Sequence, residues 1–255
     1  IRQLESHLGV ALFKRLARGL ALTEEGQSYL PVVQDAITRL AVGTNEIFGQ
    51  HQRRPIKVRG SLSFFVHWLA PKLVSFQQAH PQVDIRYISN IWVKELDGED
   101  DMEIRWGHGQ WPGLVAQRLT WDSLVPVCSP SLMARSPIKV PSDVAQHRLL
   151  HVLGYEEGWG YWANMVGAQG VDPSSGMQFD TLISTLRMAE LGQGIALARS
   201  SMVVELLREG RLVEPFQQRI EASESFYLVR GAGADQHPDA VMFATWLVEQ
   251  AHRFK

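Results

Sequence analysis

The stretch that decides the fold near the start of the chain reads LGVALFKRLARGLALTEEG, residues 8–26. Gly9 can end a helix over residues 1–8, because glycine readily adopts the left-handed conformation of a helix C-cap. Two short apolar runs then flank Gly19, which permits a tight turn and predicts a hairpin. Thr23 has the character of a helix N-cap, and the two acids after it suit the first turn of a second helix.

A long helix is predicted from about Glu24 to His51. Apolar residues recur along it at alternating intervals of three and four, which is the seam of a coiled coil with one polar position. This face could pack on its own domain or pair with a second copy of the chain. The separate module on each side of the helix favours dimerisation. The predicted dimerisation seam consists of Leu30, Val33, Ile37, Leu40, Thr44 and Ile47.

Beyond the polar hinge at residues 50–55, short apolar strands alternate with amphipathic helices. This alternation predicts an α/β fold, in which helices cover the faces of a sheet. The strands are too many for one compact half, so we expect two α/β lobes joined by crossing strands. The predicted strands include Ile56–Gly60, Leu149–Val152, Met177–Phe179 and Leu212–Glu214.

The composition is that of an ordinary globular protein. The 255 residues are 45% hydrophobic and 20% charged, with a formal net charge of −2. No apolar run reaches the length of a membrane-spanning helix, so no membrane partner is predicted. The single cysteine, Cys128, excludes an internal disulfide framework, suits a reducing cytosol and is expected to be buried. Residues 1–22 hold four cations against one acid, Glu5, which fits a small basic head on a neutral body.

Three groups of motifs together resemble the LysR-type transcription regulators. Residues 8–15 and 22–26 are similar to the family signature L-G-V-x-L-F-x-R followed by L-T-x-x-G. Residues 69–81 resemble its first sensor helix, and residues 192–197 resemble its G-x-G-I-A-L turn. The resemblance covers essentially the whole chain. Similarity to the branch that includes the glycine-cleavage-system activator is carried by residues 65–68, 111–114 and 126–130.

The resemblance implies a winged helix-turn-helix, a dimerising linker helix and a two-lobed sensor domain built like a periplasmic binding protein. Because the chain starts within a helical pattern, we expect the winged helix-turn-helix to be truncated and DNA binding to be weak. The expected partners are promoter DNA, a small-molecule effector such as an amino acid or small carboxylate, further copies in a homodimer or homotetramer, and RNA polymerase. The expected domains are 1–22 (DNA-binding remnant), 23–54 (linker helix and hinge) and 55–255 (sensor), with lobe I at about 55–125 and 215–255 and lobe II at about 126–214.

Cations on and beside the predicted hairpin could contact phosphates or the minor groove. The alternative is a solvated surface hairpin, and the family resemblance favours the DNA contact. The first helix would be the end of the helix that reads base edges in the major groove. The predicted DNA-binding residues are Arg2, Gln3, Lys14, Arg15 and Arg18.

The effector site is predicted where strands end and helices begin, because free N–H groups and the helix dipole favour anions there. The hydroxyls of Ser63 and Thr181 could bind a carboxylate; the alternative is helix capping with no ligand, and one residue can both cap a helix and line a cleft. Arg105 could pair with an anionic ligand or form an internal salt bridge, and Trp106 could stack on a ligand or close the lobe. The predicted effector-binding residues are Ser61, Ser63, Phe64, Asn90, Arg105, Trp106, Phe179, Asp180, Thr181 and Ser184.

The sequence holds no H-E-x-x-H pair, P-loop, G-x-S-x-G or complete dinucleotide fingerprint. We therefore predict no catalytic residue, no metal site and no cofactor. Two other classes of protein remain open at this stage: a stand-alone solute-binding protein of a transport system, and an α/β transferase. The basic hairpin and the coiled-coil seam argue against the first, and the missing catalytic motifs argue against the second. A cytoplasmic DNA-binding regulator that is switched by a small metabolite fits best.

Overall fold

The computed structural model describes residues 1–16, 19–48, 54–89, 100–231 and 237–253. The chain divides into two compact units, Ile1–Arg54 and Pro55–Lys255. No helix within the described ranges has both the length and the apolar character that crossing a bilayer requires.

The described residues of the first unit form two helices and a pair of antiparallel strands. Its elements are α1 (Arg2–Leu8), β1 (Phe13–Leu16), β2 (Gly19–Leu22) and α2 (Glu24–Phe48). Gly9 ends α1 with a φ of 71°, which confirms the predicted left-handed cap. The strands pair antiparallel, with Phe13 opposite Leu22. The predicted end of the long helix near His51 lies outside the described residues.

Two side chains hold the turns of this unit. The Glu5 carboxylate accepts hydrogen bonds from the backbone N–H groups of Leu12 (2.8 Å) and Phe13 (3.1 Å), so it joins α1 to the start of the hairpin. The Thr23 hydroxyl accepts from Gly26 N–H at 3.0 Å and donates to the Ala11 carbonyl at 2.8 Å. The predicted N-cap at Thr23 is therefore confirmed.

Gly26 explains the glycine of the L-T-x-x-G motif, because a Cβ there would lie 2.1 Å from the backbone oxygen of Leu12. We expect Gly26→Ala to destabilise the first unit by about 1–3 kcal/mol through overpacking. Hydrogen exchange should show faster exchange in residues 1–30 and unchanged exchange in residues 55–253. Gly158→Ala is the control, since a Cβ there would meet nothing within 4 Å. Unchanged exchange in residues 1–30 of Gly26→Ala would contradict the packing argument.

The second unit carries ten strands and seven helices within the described residues. The strands are β3 (Ile56–Gly60), β4 (Ile85–Ser89), β5 (Met102–Gly107), β6 (Leu114–Arg118), β7 (Ser123–Val127), β8 (Leu149–Val152), β9 (Met177–Phe179), β10 (Ile195–Arg199), β11 (Ile220–Glu221) and β12 (Ser225–Gly231). The helices are α3 (Leu62–Phe64), α4 (Ala70–Ala79), α5 (Pro130–Arg135), α6 (Trp159–Val166), α7 (Leu182–Glu190), α8 (Val204–Arg208) and α9 (Pro238–His252). A π turn, Phe65–Leu69, joins α3 to α4, and 3₁₀ turns cover Pro141–Gln146 and Ser200–Met202.

The strands form two five-stranded mixed sheets, one in each lobe. The first has the order β4-β3-β5-β12-β6, and the second has the order β11-β7-β10-β8-β9. In the first sheet β3 runs parallel to both neighbours, whereas β12 runs antiparallel to β5 and β6. In the second, β8 runs parallel to β9 and β10, and β7 runs antiparallel to β10. The predicted two-lobed α/β fold is confirmed.

The chain crosses between the lobes twice, from β6 to β7 and from β11 back to β12. The two crossings pair with each other, because Leu119 N–H donates to the Phe226 carbonyl (2.8 Å) and Ala222 N–H donates to the Asp122 carbonyl (2.9 Å). The expected lobe boundaries near 125 and 215 need a correction of several residues. Both β7 and β11 belong to the second sheet, so the crossings fall at residues 119–122 and 222–224.

One strand prediction was wrong. Residues 212–214 form no strand, and only Val213 makes an isolated bridge, to Cys128. The edge of β7 is instead occupied by β11, so the segment 212–214 meets the sheet only beyond the end of β7. Cys128 itself is buried, as expected, and burial raises the pKa of its thiol to about 11.

Candidate functional site

A cavity of about 520 Å³ lies between the two lobes of the second unit. Seven parts of the chain line it: the β3–α3 connection, the end of β4, the end of β5, the β5–β6 loop, the loop after β8, the start of α7 and the second crossing. This volume falls within the usual range for small-molecule sites. The cavity is therefore the candidate site for a ligand.

Six of the ten predicted effector-binding residues line this cavity. They are Ser61, Ser63, Arg105, Trp106, Asp180 and Thr181. Three others are not among the lining residues. Phe64 is fully buried in the core, Phe179 packs against the core, and Ser184 bonds to Thr181. Asn90 lies outside the described residues, although Ser89 beside it does line the cavity.

The first helix start is capped by Ser61 and not by Ser63, which corrects the prediction. Ser61 has an extended backbone, with φ −71° and ψ 146°, and its hydroxyl accepts from Phe64 N–H at 3.1 Å. The helix consequently begins at Leu62, one residue before Ser63. Ser63 lies in the first turn, is nearly buried and still lines the cavity. The carbonyl of Ser61 accepts a hydrogen bond from the Tyr87 hydroxyl at 3.1 Å, which holds the backbone at the helix start against β4.

The second helix start is capped by Thr181. Its hydroxyl accepts from Ser184 N–H at 3.3 Å and lies 2.9 Å from the Ser184 hydroxyl. Thr185 donates from its hydroxyl to the Thr181 carbonyl at 3.0 Å, so the backbone of this first turn is held firmly. Thr181 therefore caps the helix and also lines the cavity.

Arg105 and Trp106 end β5 at the cavity wall. The Arg105 Nε donates to the nearly buried Glu103 carboxylate at 2.6 Å, so the salt-bridge alternative is realised. The Trp106 ring packs on Phe226, with ring centroids 4.7 Å apart, and on Tyr155, with centroids 5.1 Å apart. Trp106 thus closes the lobe and faces the cavity at once.

Sequence reasoning missed several residues at this site. Trp111, Tyr155, Glu156 and Glu224 all line the cavity. They lie on loops and on a crossing, where neither strand nor helix periodicity applies. The string W-P-G-L at residues 111–114, which carries part of the family resemblance, is the one signal that could have indicated Trp111 as a site residue.

A buried ionic cluster lies beside the cavity. The Arg199 side chain is fully buried, and its guanidinium lies 3.8 Å from Glu157 Oε2 and 3.7 Å from Glu224 Oε2. It also donates two hydrogen bonds of 3.3 Å to the Glu157 carbonyl. The guanidinium lies over the Tyr155 ring at 4.7 Å and over the Trp106 ring at 5.2 Å. The cluster therefore ties β10 of the second sheet to the second crossing.

Within the first unit, Gln3 on α1 and Lys14 on β1 are exposed. Arg2 lies in α1 and Arg15 in β1, whereas Arg18 lies outside the described residues. Every predicted seam residue belongs to α2. Of these, Leu40 is 69% exposed, Leu30 is exposed and Val33 is half-buried. Among the described residues, no group of three or more histidine, cysteine, aspartate or glutamate side chains could hold a metal ion.

A two-lobed α/β domain with a cavity between its lobes, preceded in the chain by a helix-hairpin-helix unit, defines a ligand-binding sensor of a regulatory protein. Two family models match the two parts of the chain. The bacterial regulatory helix-turn-helix protein, lysR family, matches residues 1–27, and the LysR substrate binding domain matches residues 49–252. The chain belongs to the LysR family. It is a DNA-binding transcriptional regulator controlled by effector binding, and not a solute-binding protein of a transport system.

Individual relatives agree with this assignment. The chain is 34% identical to the glycine cleavage system transcriptional activator of Escherichia coli strain K12, over 98% of this chain and 83% of that protein. It is 35% identical to the HTH-type transcriptional activator AmpR of Pseudomonas aeruginosa, over 98% and 84% respectively. The AmpR effector binding domain from Citrobacter freundii matches with a TM-score of 0.70 at 28% identity, over 79% of this chain and all of that domain. The two curated relatives are transcriptional activators by name, and no enzyme is among the relatives cited.

Proposed function

We propose that a small molecule with a carboxylate, such as an amino acid or a small organic acid, binds between the lobes and controls promoter DNA binding. The observation that carries this proposal is the cavity of about 520 Å³, into which two capped helix starts, at Ser61 and Thr181, bring hydroxyl groups. Helix starts of this kind favour anions. The site would act in the cytoplasm, where bacterial promoters lie.

The switch is a shift between two arrangements of the lobes. Among the described residues, only the paired crossings at 119–122 and 222–224 join the two sheets through the backbone, so we infer that they act as the hinge. A ligand that contacts both lobes stabilises one arrangement over the other. It alters DNA binding only to the extent that it binds the two arrangements with different affinity.

Assembly and DNA contact belong to the same proposal. The exposed Leu30 and Leu40 on α2 support pairing through this helix, because apolar seam residues of a coiled coil are buried by a partner helix. A homodimer formed through α2, and a homotetramer formed from two such dimers, would place several winged units on one promoter. Lys14 and its cationic neighbours would contact the DNA phosphates. RNA polymerase would be the protein partner whose activity at the promoter changes.

A thermal-shift screen of the whole chain tests the site. Amino acids, small carboxylates and nucleobases are added, and a bound compound raises the Tm. We expect a carboxylate-bearing compound to stabilise the wild type, and Thr181→Val to lose most of that shift. Ser129→Ala is the matched control, because Ser129 is also a helix N-cap but does not line the cavity. Both variants should lower the ligand-free Tm, since a lost cap costs about 1 kcal/mol.

Two results would contradict the proposal. Equal loss of the ligand shift in Ser129→Ala and Thr181→Val would mean that the cavity is not the binding site. An unchanged oligomer and an unchanged DNA footprint at saturating ligand would mean that binding does not act as a switch.

A further inference from the structure

Glu224 is a buried carboxylate on the second crossing that lines the cavity. The residue is 4% exposed, and its Oε2 accepts no hydrogen bond from the described part of the chain. The Arg199 guanidinium lies 3.7 Å from this oxygen, well beyond the roughly 2.7–2.9 Å of a charge-assisted hydrogen bond. Glu224 therefore has hydrogen-bonding capacity, next to the cavity, that the described chain does not use.

The charge around Arg199 is unbalanced toward the acids. Its single positive charge faces Glu157 and Glu224 at nearly equal distances. Asp122 is also buried, and it acts on the pKa of Arg199 through its charge. One guanidinium thus faces two buried carboxylates, with a third acting on it from further away, and this excess of negative charge lies in a region shielded from water. Burial raises the pKa of Glu224 above its ordinary value, and the charge of Arg199 offsets only part of that rise.

The other charged residues in the cavity wall are mostly negative as well. Glu156 and Asp180 also line it, and both are exposed to solvent. Arg105 is the one cationic side chain among the described lining residues, and its Nε is already paired with Glu103 at 2.6 Å. Low-dielectric walls focus such a field into a cleft. The electrostatics of the cavity therefore favour a ligand with a positive group.

Aromatic rings in the cavity wall add to this preference. Trp106, Trp111 and Tyr155 all line the cavity, and Arg199 already lies over the rings of Trp106 and Tyr155. Ring faces attract cations by about 0.5–2 kcal/mol, more when the site is shielded from water. A cationic group of a ligand would meet these rings in the same cavity that Glu224 lines.

We propose that the effector carries an ammonium group and that Glu224 binds it, so that the cavity selects amino acids over plain carboxylates. The inference rests on the proposed function, because it adds a second recognition element to the same ligand. The carboxylate of the amino acid meets the helix starts at Ser61 and Thr181, and its ammonium meets Glu224. Glu224 is then a specificity-determining residue.

Matched sets of compounds test this assignment by calorimetry on the whole chain. Each of the twenty standard amino acids is compared with its deaminated carboxylate and its decarboxylated amine. For phenylalanine these are 3-phenylpropionate and phenethylamine, and for glutamate they are glutarate and 4-aminobutyrate. We expect an amino acid to bind the wild type about ten- to hundredfold more tightly than its deaminated carboxylate, the ratio that a hydrogen bond to a charged group provides.

The variants assign that preference to one side chain. Glu224→Gln should bind the amino acid about ten- to hundredfold more weakly and bind the deaminated carboxylate with unchanged affinity. Glu221→Gln, an exposed glutamate at the end of β11, should leave both affinities unchanged. Thermal unfolding without ligand checks that each variant is folded. Because Gln keeps the shape of Glu and Arg199 keeps Glu157 as a partner, Glu224→Gln is expected to fold.

The outcomes separate this inference from the proposed function. Equal binding of an amino acid and its deaminated carboxylate by the wild type would overturn the ammonium assignment and leave the carboxylate site intact. A preference for the amino acid that persists in Glu224→Gln would also overturn it. Binding of no member of any set would contradict both proposals.

Discussion

Replacing Arg199 by methionine is expected to destabilise the second unit by about 3–5 kcal/mol, because it leaves the buried Glu157 and Glu224 carboxylates without the guanidinium that faces both. Methionine is shorter than arginine but has a similar side-chain volume and no charge, so the loss reflects charge more than volume. Urea unfolding of the variant and the wild type measures the difference as a shift of the midpoint. Tryptophan fluorescence is a suitable signal, because Trp106 lies directly against the guanidinium.

The matched control is Arg208→Met. Arg208 pairs with Glu205 at 2.5 Å, but both side chains are largely exposed. Exposed ion pairs contribute about 0–1 kcal/mol, so this variant should unfold close to the wild type. Similar losses in Arg199→Met and Arg208→Met would contradict the assignment of a buried cluster.

The sign of the pH dependence gives a further check on Arg199→Met. Burial already raises the pKa of Glu224, and Arg199 opposes that rise. Without Arg199 the folded-state pKa should rise further above that of the unfolded chain, so the folded variant holds a proton more tightly. Its stability relative to the wild type should therefore improve as the pH falls from 7 toward 5 and worsen as the pH rises. Adding Glu224→Gln to Arg199→Met should recover part of the loss at pH 7.

The overall fold could be predicted because its signals are local. The strands Ile56–Gly60, Leu149–Val152 and Met177–Phe179 have the bounds that their apolar runs predict. The caps at Gly9 and Thr23 follow from backbone preferences that act within one turn. The wrong strand at 212–214 has the same local pattern, but the place beside β7 is occupied by β11. Which of two suitable segments pairs with an edge depends on the path of the whole chain.

The candidate site could be predicted only where it coincides with such local signals. Ser61 and Thr181 were found because a helix start and a strand end are visible in the sequence. The Arg199 cluster joins residues 42 positions apart, as the hydrogen bond between Arg199 and Glu157 shows. No local sequence pattern links these residues. In the sequence, an arginine that will be buried cannot be distinguished from one that will be exposed. The folded chain is needed to show that Glu224 reaches the cavity.

Phe64 follows two residues that line the cavity, but its own side chain belongs to the core. We expect Phe64→Ala to lower the free energy of unfolding by about 3–5 kcal/mol. The ring is fully buried and packs on Trp68, with centroids 4.8 Å apart, and on Phe226, with centroids 4.9 Å apart. Its removal would leave a hole between the helix and β12. Chemical unfolding measures this loss. Phe64→Leu, which keeps most of the apolar contact, should be milder.

Leu62→Ala is the matched control for Phe64→Ala, since Leu62 lies in the same turn, lines the cavity and is half-exposed. We expect a change in stability within about 1 kcal/mol, because surface substitutions rarely cost more. A Phe64→Ala variant as stable as the wild type, with altered ligand binding alone, would show that Phe64 contacts the effector as the sequence suggests. A large loss of stability for Phe64→Ala together with a small loss for Leu62→Ala would assign Phe64 to the core under the cavity. In that case the buried ring, and not the exposed Leu62 side chain, would provide the packing that stabilises this helix start.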